Sequence, residues 1–235
     1  MIDFHPTKKY IRDLNSIDQR VFVVGDIHGK YDLLIRALKE NDIRSYDLVF
    51  FLGDLINKGN QSREVLDFVL DRDNTVCLYG NHESSFLLMV RELIKRDLHK
   101  YSEEENCSVL NNYINDMSAF WLQGMSFQEI FNYAEKIKSS FYFAAELIVG
   151  SEKIGLVHAS VPNYDWKDLM TFQERSIWSF DNYNDDNIVD IKNIDMVIHG
   201  HVPVKDVTKK ANAVYIDTAS YRGSDEKRLS FIRIA

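Results

Sequence analysis

One arrangement recurs along the chain and restricts what it can become: an apolar run, a glycine or tight turn, then a side chain able to hold a metal. It first appears as Val21-Phe22-Val23-Val24 followed by Gly25-Asp26-Ile27-His28-Gly29. Four successive β-formers bounded by glycine predict a buried strand, and the glycines allow a sharp turn at its end. Asp26 and His28 then emerge together at the C-terminal edge, where open α/β sheets usually bind ligands. The same order returns at Leu48–Leu52 before Gly53-Asp54 and at Thr75–Tyr79 before Gly80-Asn81-His82-Glu83. It returns again at Lys153–Val157 before His158 and at Met196–Ile198 before His199-Gly200-His201. A chain with five such strand ends is expected to gather them at one edge of a sheet.

Between the first three strands, Leu33, Leu34, Ala37 and Leu38 recur with helical spacing, and Val65 to Leu70 predict a second helix opening near Gln61. The spacing alone therefore reads as βαβαβ with a parallel sheet. Residues 84–140 change to a Leu-, Phe-, Glu- and Lys-rich pattern interrupted by Gly124, which predicts an insert of two to four helices, with Glu103-Glu104-Glu105 on a solvated face or loop. The second half predicts mainly strands: a hairpin about Gly150-Ser151, runs before His199 and Asp217, and a last strand over Leu229–Ile234. The segment 162–193 is polar, aromatic and irregular, as expected of a groove border.

At 235 residues, 45% hydrophobic and 27% charged, the chain is expected to form one domain over 1–235 with a sizeable core. A net charge of −8 disfavours nucleic acid as a partner. Cys77 and Cys107 are too few for a disulfide scaffold and fit reduced thiols, and no apolar run reaches membrane-spanning length. A cytoplasmic protein with no membrane partner is expected.

The residues at the strand ends are Asp26, His28, Asp54, Asn81, His82, His158 and His201. Oxygen and imidazole donors suit Mn²⁺, Fe²⁺ or Zn²⁺ rather than Ca²⁺ or a thiolate zinc site. They are too many for one ion but enough for two sharing a carboxylate, by position Asp54. Two close ions acidify water and clamp phosphoryl oxygens. A histidine left over from ligation, His82, would protonate a leaving alkoxide.

In order, these blocks resemble the signature of the calcineurin-like metallophosphoesterases. The full Gly80-Asn81-His82-Glu83 form and the chain length are most similar to the phosphoprotein phosphatase branch, in particular its compact bacteriophage lambda-type Ser/Thr phosphatases. The resemblance implies an α/β (α+β) fold, a β-sandwich of two mixed sheets flanked by helices with a helical insert, in place of a single parallel sheet. It implies a first metal on Asp26, His28 and Asp54, a second on Asp54, Asn81, His158 and His201, Mn²⁺ foremost with Fe or Zn as alternatives, and His82 as general acid. Lys58 and Asn81 would contact the substrate. That substrate would be a phosphorylated protein or a small phosphoester; dinucleoside polyphosphate hydrolysis, nucleic-acid end trimming and a weakened phosphate-binding module are the alternatives.

Three positions depart from the family pattern. Asn57 stands where an Asp orients the catalytic histidine; it is expected to accept a hydrogen bond from His82 without supplying charge, which gives a weaker acid–base dyad. Lys58 replaces an Arg and loses the bidentate fork. Phe180 stands where the related phage enzymes carry a further Arg, with Arg175 or Arg222 as substitutes. His199 is expected to be structural and His5 and His99 to lie at the surface; Asp217 is a turn cap or a support for the site. The Phe120 and Trp121 region is expected to pack the insert.

Overall fold

The structure is a computed structural model. It describes residues 8–96, 103–186, 189–220 and 228–235, without the side chains of 103–106. His5, His99 and Arg222 lie outside the described residues, as do the side chains of Glu103-Glu104-Glu105.

Ten strands form two sheets among the described residues. One sheet has the order β10-β2-β3-β4, from β2 (Val21–Val24), β3 (Leu48–Phe51), β4 (Thr75–Cys77) and β10 (Phe231–Arg233). Strands β2, β3 and β4 are parallel, joined through α1 (Tyr31–Glu40) and α2 (Ser62–Leu70), so the βαβαβ reading holds for this half. The C-terminal strand β10 runs antiparallel beside β2.

The second sheet has the order β1-β5-β6-β7-β9-β8. It is built from β1 (Lys9–Asp13), β5 (Ala144–Val149), β6 (Glu152–Val157), β7 (Met196–Pro203), β8 (Thr208–Lys210) and β9 (Ala213–Asp217). It is mixed: β5 and β6 form the expected antiparallel hairpin, whereas β6, β7 and β9 run parallel.

Strand alternation packs the two sheets face to face. Val21, Val23, Leu48, Phe50 and Val76 of the first sheet meet Ala145, Leu147, Leu156, Ile198, Val214 and Ile216 of the second in one buried cluster. Val24, Val49 and Phe51 point the other way, into a core shared with the helices. Each fully buried Val, Leu or Phe contributes about 1.5–3 kcal/mol relative to exposure, so a strand apolar on both faces is stable only between two such layers. The insert supplies the outer layer through α3 (Asn81–Lys95), α4 (Glu103–Met117) and α5 (Phe127–Ser140). Its first helix opens at Asn81, three residues before the expected boundary, so Asn81, His82 and Glu83 form a helical first turn.

Candidate metal centre

The C-terminal ends of β2, β3, β4 and β6 and the bulged end of β7 meet at one edge of the sandwich and bring all seven strand-end residues together. Two loops are laced by the backbone: Ile27 and His28 N–H groups both donate to the Asp54 carbonyl (3.1 and 2.9 Å), and Gly59 N–H donates to the His28 carbonyl (2.9 Å). Glu83, fully buried, then ties the second loop to α3. Its carboxylate accepts from the backbone N–H groups of Asp54, Leu55 and Gly80 at 2.8 Å each. Gly80 is required by contact, because a Cβ there would strike the Asp54 carboxylate. His28, Asp54, Asn57, Lys58 and His201 all adopt positive φ (49°, 51°, 70°, 62° and 62°). Such strain in non-glycine residues clusters at functional sites. The register shift in β7 between His199 and Pro203 turns His201 toward the edge.

The tautomers of three histidines follow from their partners, because a carbonyl can only accept. His28 Nδ1 donates to the Ile56 carbonyl (3.2 Å), His158 Nδ1 to the Leu52 carbonyl (2.8 Å), and His201 Nε2 to the Trp178 carbonyl (3.3 Å). Each ring therefore turns a lone pair inward, the arrangement found behind most metal-ligating imidazoles. His28 Nε2 lies 3.5 Å from Asp54 Oδ2 and 3.9 Å from Asp26 Oδ2, and His158 Nε2 lies 3.4 Å from Asp54 Oδ1. The Asn81 amide oxygen is 3.1 Å from both His158 Nε2 and His201 Nδ1. With that oxygen inward, four acceptors converge and call for a cation; with the amide turned, its N–H₂ would donate to Asp54 and both rings.

Electrostatics agree with a cation seat. Burial raises Asp54 to about 7, and burial with Asp217 and Asp54 nearby raises Asp26 well above the usual carboxylate range. Burial lowers His158 and His201 to about 3 and His28 well below its ordinary value. Crowded carboxylates and neutral imidazoles are what a divalent cation would stabilise in ionised, ligating form. A single positive charge is already drawn in: the Lys58 ammonium sits 2.9 Å from His28 Nε2. Asp54, His158 and His201 bring their donor atoms within 4.8 Å of one another, as do His28, Asp54 and the neighbouring His82. Asp26 Oδ2 adds a further oxygen 3.9 Å from His28 Nε2, so Asp54 is common to two groups even with His82 set aside. The residues fit a dinuclear centre.

His82 is held differently. Its ring packs edge-on against His28 at 4.8 Å, its Nε2 is 3.9 Å from Asp54 Oδ2, and burial, then the Lys58 charge, lower it to about 3. Asn57 does lie against Nδ1, at 3.0 Å, but through its amide nitrogen. The Asn57 oxygen is taken by the Trp121 indole N–H at 2.8 Å. The expectation that Asn57 accepts from His82 is therefore corrected, and Trp121, expected only to pack, also reaches the site. Phe180 covers His201 with ring centroids 4.3 Å apart, and Arg175 is held by Asp181 at 2.5 Å. Asp217 is buried, accepts from the Ser220 N–H at 3.0 Å and adds to the charge around Asp26. His199 stacks on Tyr215 in the core, as a structural residue would.

A sandwich of two mixed sheets with metal-capable side chains at one edge defines a metallophosphoesterase. The sequence profile of the calcineurin-like phosphoesterases matches residues 19–205, and the chain belongs to that family. It is a metal-dependent phosphoester hydrolase of a family that uses two metal ions. It is similar to serine/threonine-protein phosphatase 2 of Salmonella typhimurium, at 28% identity over 94% of this chain and 96% of that one. A symmetrical bis(5'-nucleosyl)-tetraphosphatase of Xanthomonas axonopodis is 41% identical, over only 28% of this chain and 22% of its own length. Among solved structures, a candidate diadenosine tetraphosphatase superposes with a TM-score of 0.61 at 20% identity, over 96% of this chain and 93% of that one. A cold-active protein-tyrosine phosphatase of a psychrophilic Shewanella gives 0.58 at 15%, over 97% of this chain and 77% of that one. At such identities the two structures speak for the fold alone.

Proposed function

We propose that the chain, acting as one domain over 1–235, is a dinuclear-metal phosphomonoesterase of the Ser/Thr protein phosphatase kind. The observation that carries this is the inward lone pairs of His28, His158 and His201 converging with Asp26, Asp54 and Asn81. Asp26, His28 and Asp54 would hold one ion, and Asp54, Asn81, His158 and His201 the other, with Mn²⁺ foremost and Fe or Zn as alternatives. Bound ions supply Lewis acidity toward phosphoryl oxygens and an acidified water at neutral pH. Lys58, on the loop beside His28, offsets the phosphate's charge, and the Asn81 amide steadies a phosphoryl oxygen. His82, beside Asp54 and with the Asn57 amide rather than a backbone carbonyl against its Nδ1 among the described residues, serves the departing oxygen. The full-length similarity to a Ser/Thr phosphatase supports phosphoserine or phosphothreonine as substrate. Among the described residues no helix is long and apolar enough to cross a membrane, and both Cys77 and Cys107 are free thiols, in keeping with a cytoplasmic home.

A second reading, dinucleoside polyphosphate hydrolysis, is favoured by the local match to a tetraphosphatase and by Asn57, since phosphate leaving groups need little acid assistance. Phosphate release from a phosphothreonine peptide, a dinucleoside polyphosphate and p-nitrophenyl phosphate, with Mn²⁺ and beside His82→Asn, separates the two. We expect the peptide to be hydrolysed in preference to the nucleotide, with the aryl phosphate as an activated control, and the variant to lose about 10²–10⁴ in peptide turnover. Preference for the nucleotide moves the assignment to the second reading, and metal binding without any turnover reduces the chain to a phosphate-binding module.

A further inference from the structure

We propose that Trp121 is a positioning residue of this site: by donating to Asn57 it fixes that amide so that the His82 ring carries its proton on Nε2, facing the reaction. The direction of every bond can be assigned. An indole N–H only donates, so the atom 2.8 Å from Trp121 Nε1 must be the Asn57 oxygen. The Asn57 N–H₂ is thereby turned to His82 Nδ1 (3.0 Å) and to the Tyr113 hydroxyl (3.1 Å), one hydrogen for each. Tyr113 passes its own hydrogen to the His82 backbone carbonyl at 3.4 Å. Asn57, Trp121 and Tyr113 are buried, so little water can satisfy a reversed amide. Reversal would set the indole N–H against the amide N–H₂ and lose the Trp121 bond. The other two would re-form only if His82 moved its hydrogen to Nδ1 and Tyr113 gave up the backbone carbonyl.

An Nδ1 that accepts from Asn57 leaves the hydrogen of a neutral ring on Nε2, the atom beside Asp54. This inverts the pattern of His28, His158 and His201, whose outward N–H groups are held by carbonyls and whose lone pairs face inward. A lone pair facing inward can ligate, whereas an N–H facing inward can donate. His82 is thus kept out of the ligand set and available to a departing oxygen. Giving its proton to the departing oxygen leaves the neutral ring an imidazolate that solvent water must reprotonate. That makes His82 a weak acid, so turnover should fall steeply as the leaving oxygen becomes more basic. The proposal rests on the reading of His82 as the group that serves the leaving oxygen.

The test is ¹⁵N NMR of the histidine rings in the metal-free and zinc-loaded full chain, beside kinetics on an aryl phosphate and a phosphothreonine peptide. In the wild type, His82 should show a lone pair at Nδ1 and a hydrogen at Nε2. Trp121→Phe keeps the contacts with Phe86 and Tyr133 but frees the amide, so an Nδ1–H population should appear. Peptide kcat should drop about tenfold with KM little moved, and aryl phosphate should suffer less. Asn57→Asp, which needs no intact Trp121 contact to be read, should place a hydrogen on Nδ1 and narrow the gap between the two substrates. A protonated Nδ1 in the wild type, or ring signals unchanged in both variants, overturns the proposal. Full turnover by His82→Asn would instead sink the acid role itself, which the ring signals alone would not.

Discussion

On the sheet side of the site, three imidazoles each give an N–H to a backbone carbonyl and aim a lone pair at Asp54 or Asn81. On the helical side, one imidazole receives an N–H from a side chain, and that side chain is fixed in turn by Trp121. The sheet side holds the candidate ligands Asp26, His28, Asp54, His158 and His201, with Asn81 facing them from the first turn of α3. The helical side carries Asn57 and Lys58 among its departures, with Phe180 across the edge. Backbone carbonyls, here of a strand end, a loop and the end of a short helix, are fixed by the fold, so the tautomers of candidate ligands survive sequence change nearby. An orientation set by side chains can be rewritten by a single substitution. The two sides should accordingly respond differently to mutation.

Asp54→Asn should have the largest effect. Asp54 is common to both groups of donors and receives the His82 backbone N–H at 3.0 Å. Losing it should cost more than the roughly 10–100-fold typical of outer-shell partners, in metal affinity and turnover together. Metal content measured beside kcat checks this, and a fully loaded, active variant would remove Asp54 from the centre. Next comes Asn57→Asp on the other side. An opposite charge favours the imidazolium, so peptide turnover should rise, by up to about tenfold, with metal content unchanged. A variant that turns over no faster would mean that Asn57 is not what limits the acid.

Metal affinity should also depend on pH, and the sign follows from Asp54. Burial raises it to about 7, so below that pH the carboxyl holds a proton that a cation must displace. Histidines lowered to about 3 are already neutral and release nothing in this range. Affinity should therefore fall as pH drops from 8 to 6, approaching tenfold per unit for the Asp54 proton, with Asp26, also raised by burial, adding to the slope. Calorimetric titration in buffers of different ionisation enthalpy counts that proton. A flat profile would show that Asp54 is ionised before the cation arrives.

The sheet side was largely legible because its candidate ligands sit within a few residues of the strands that position them. Gly25-Asp26-Ile27-His28-Gly29 and Gly53-Asp54 follow apolar runs, and strand and ligand are read in one window. The helical side was not, because Trp121 meets Asn57 across 64 positions and Tyr113 across 56. No local periodicity reports such contacts. Glu83 was visible within its motif, but its four backbone donors depend on how two loops fold together. The edge strands β1 and β8 also escaped. In β1, Ile11 is 65% exposed beside the partly buried Tyr10, so no clean alternation marks it.

Phe180→Arg should give the smallest change and probes whether the missing cation weakens the hold on phosphate. Phe180 is 41% exposed and lies over His201, so an arginine there could reach a phosphoryl group bound beside that ring. A charge-assisted hydrogen bond contributes about 1.5–3 kcal/mol when shielded, but an exposed pair is worth about 0–1 kcal/mol. The neighbouring Asp181, already paired with Arg175, would compete for the new guanidinium. The smaller figure therefore governs: KM for the phosphothreonine peptide should fall about two- to fivefold while kcat holds. The same KM with a lower kcat would show that the phenyl ring's contact with His201 matters more than the charge, which would extend side-chain control to the sheet side of the site.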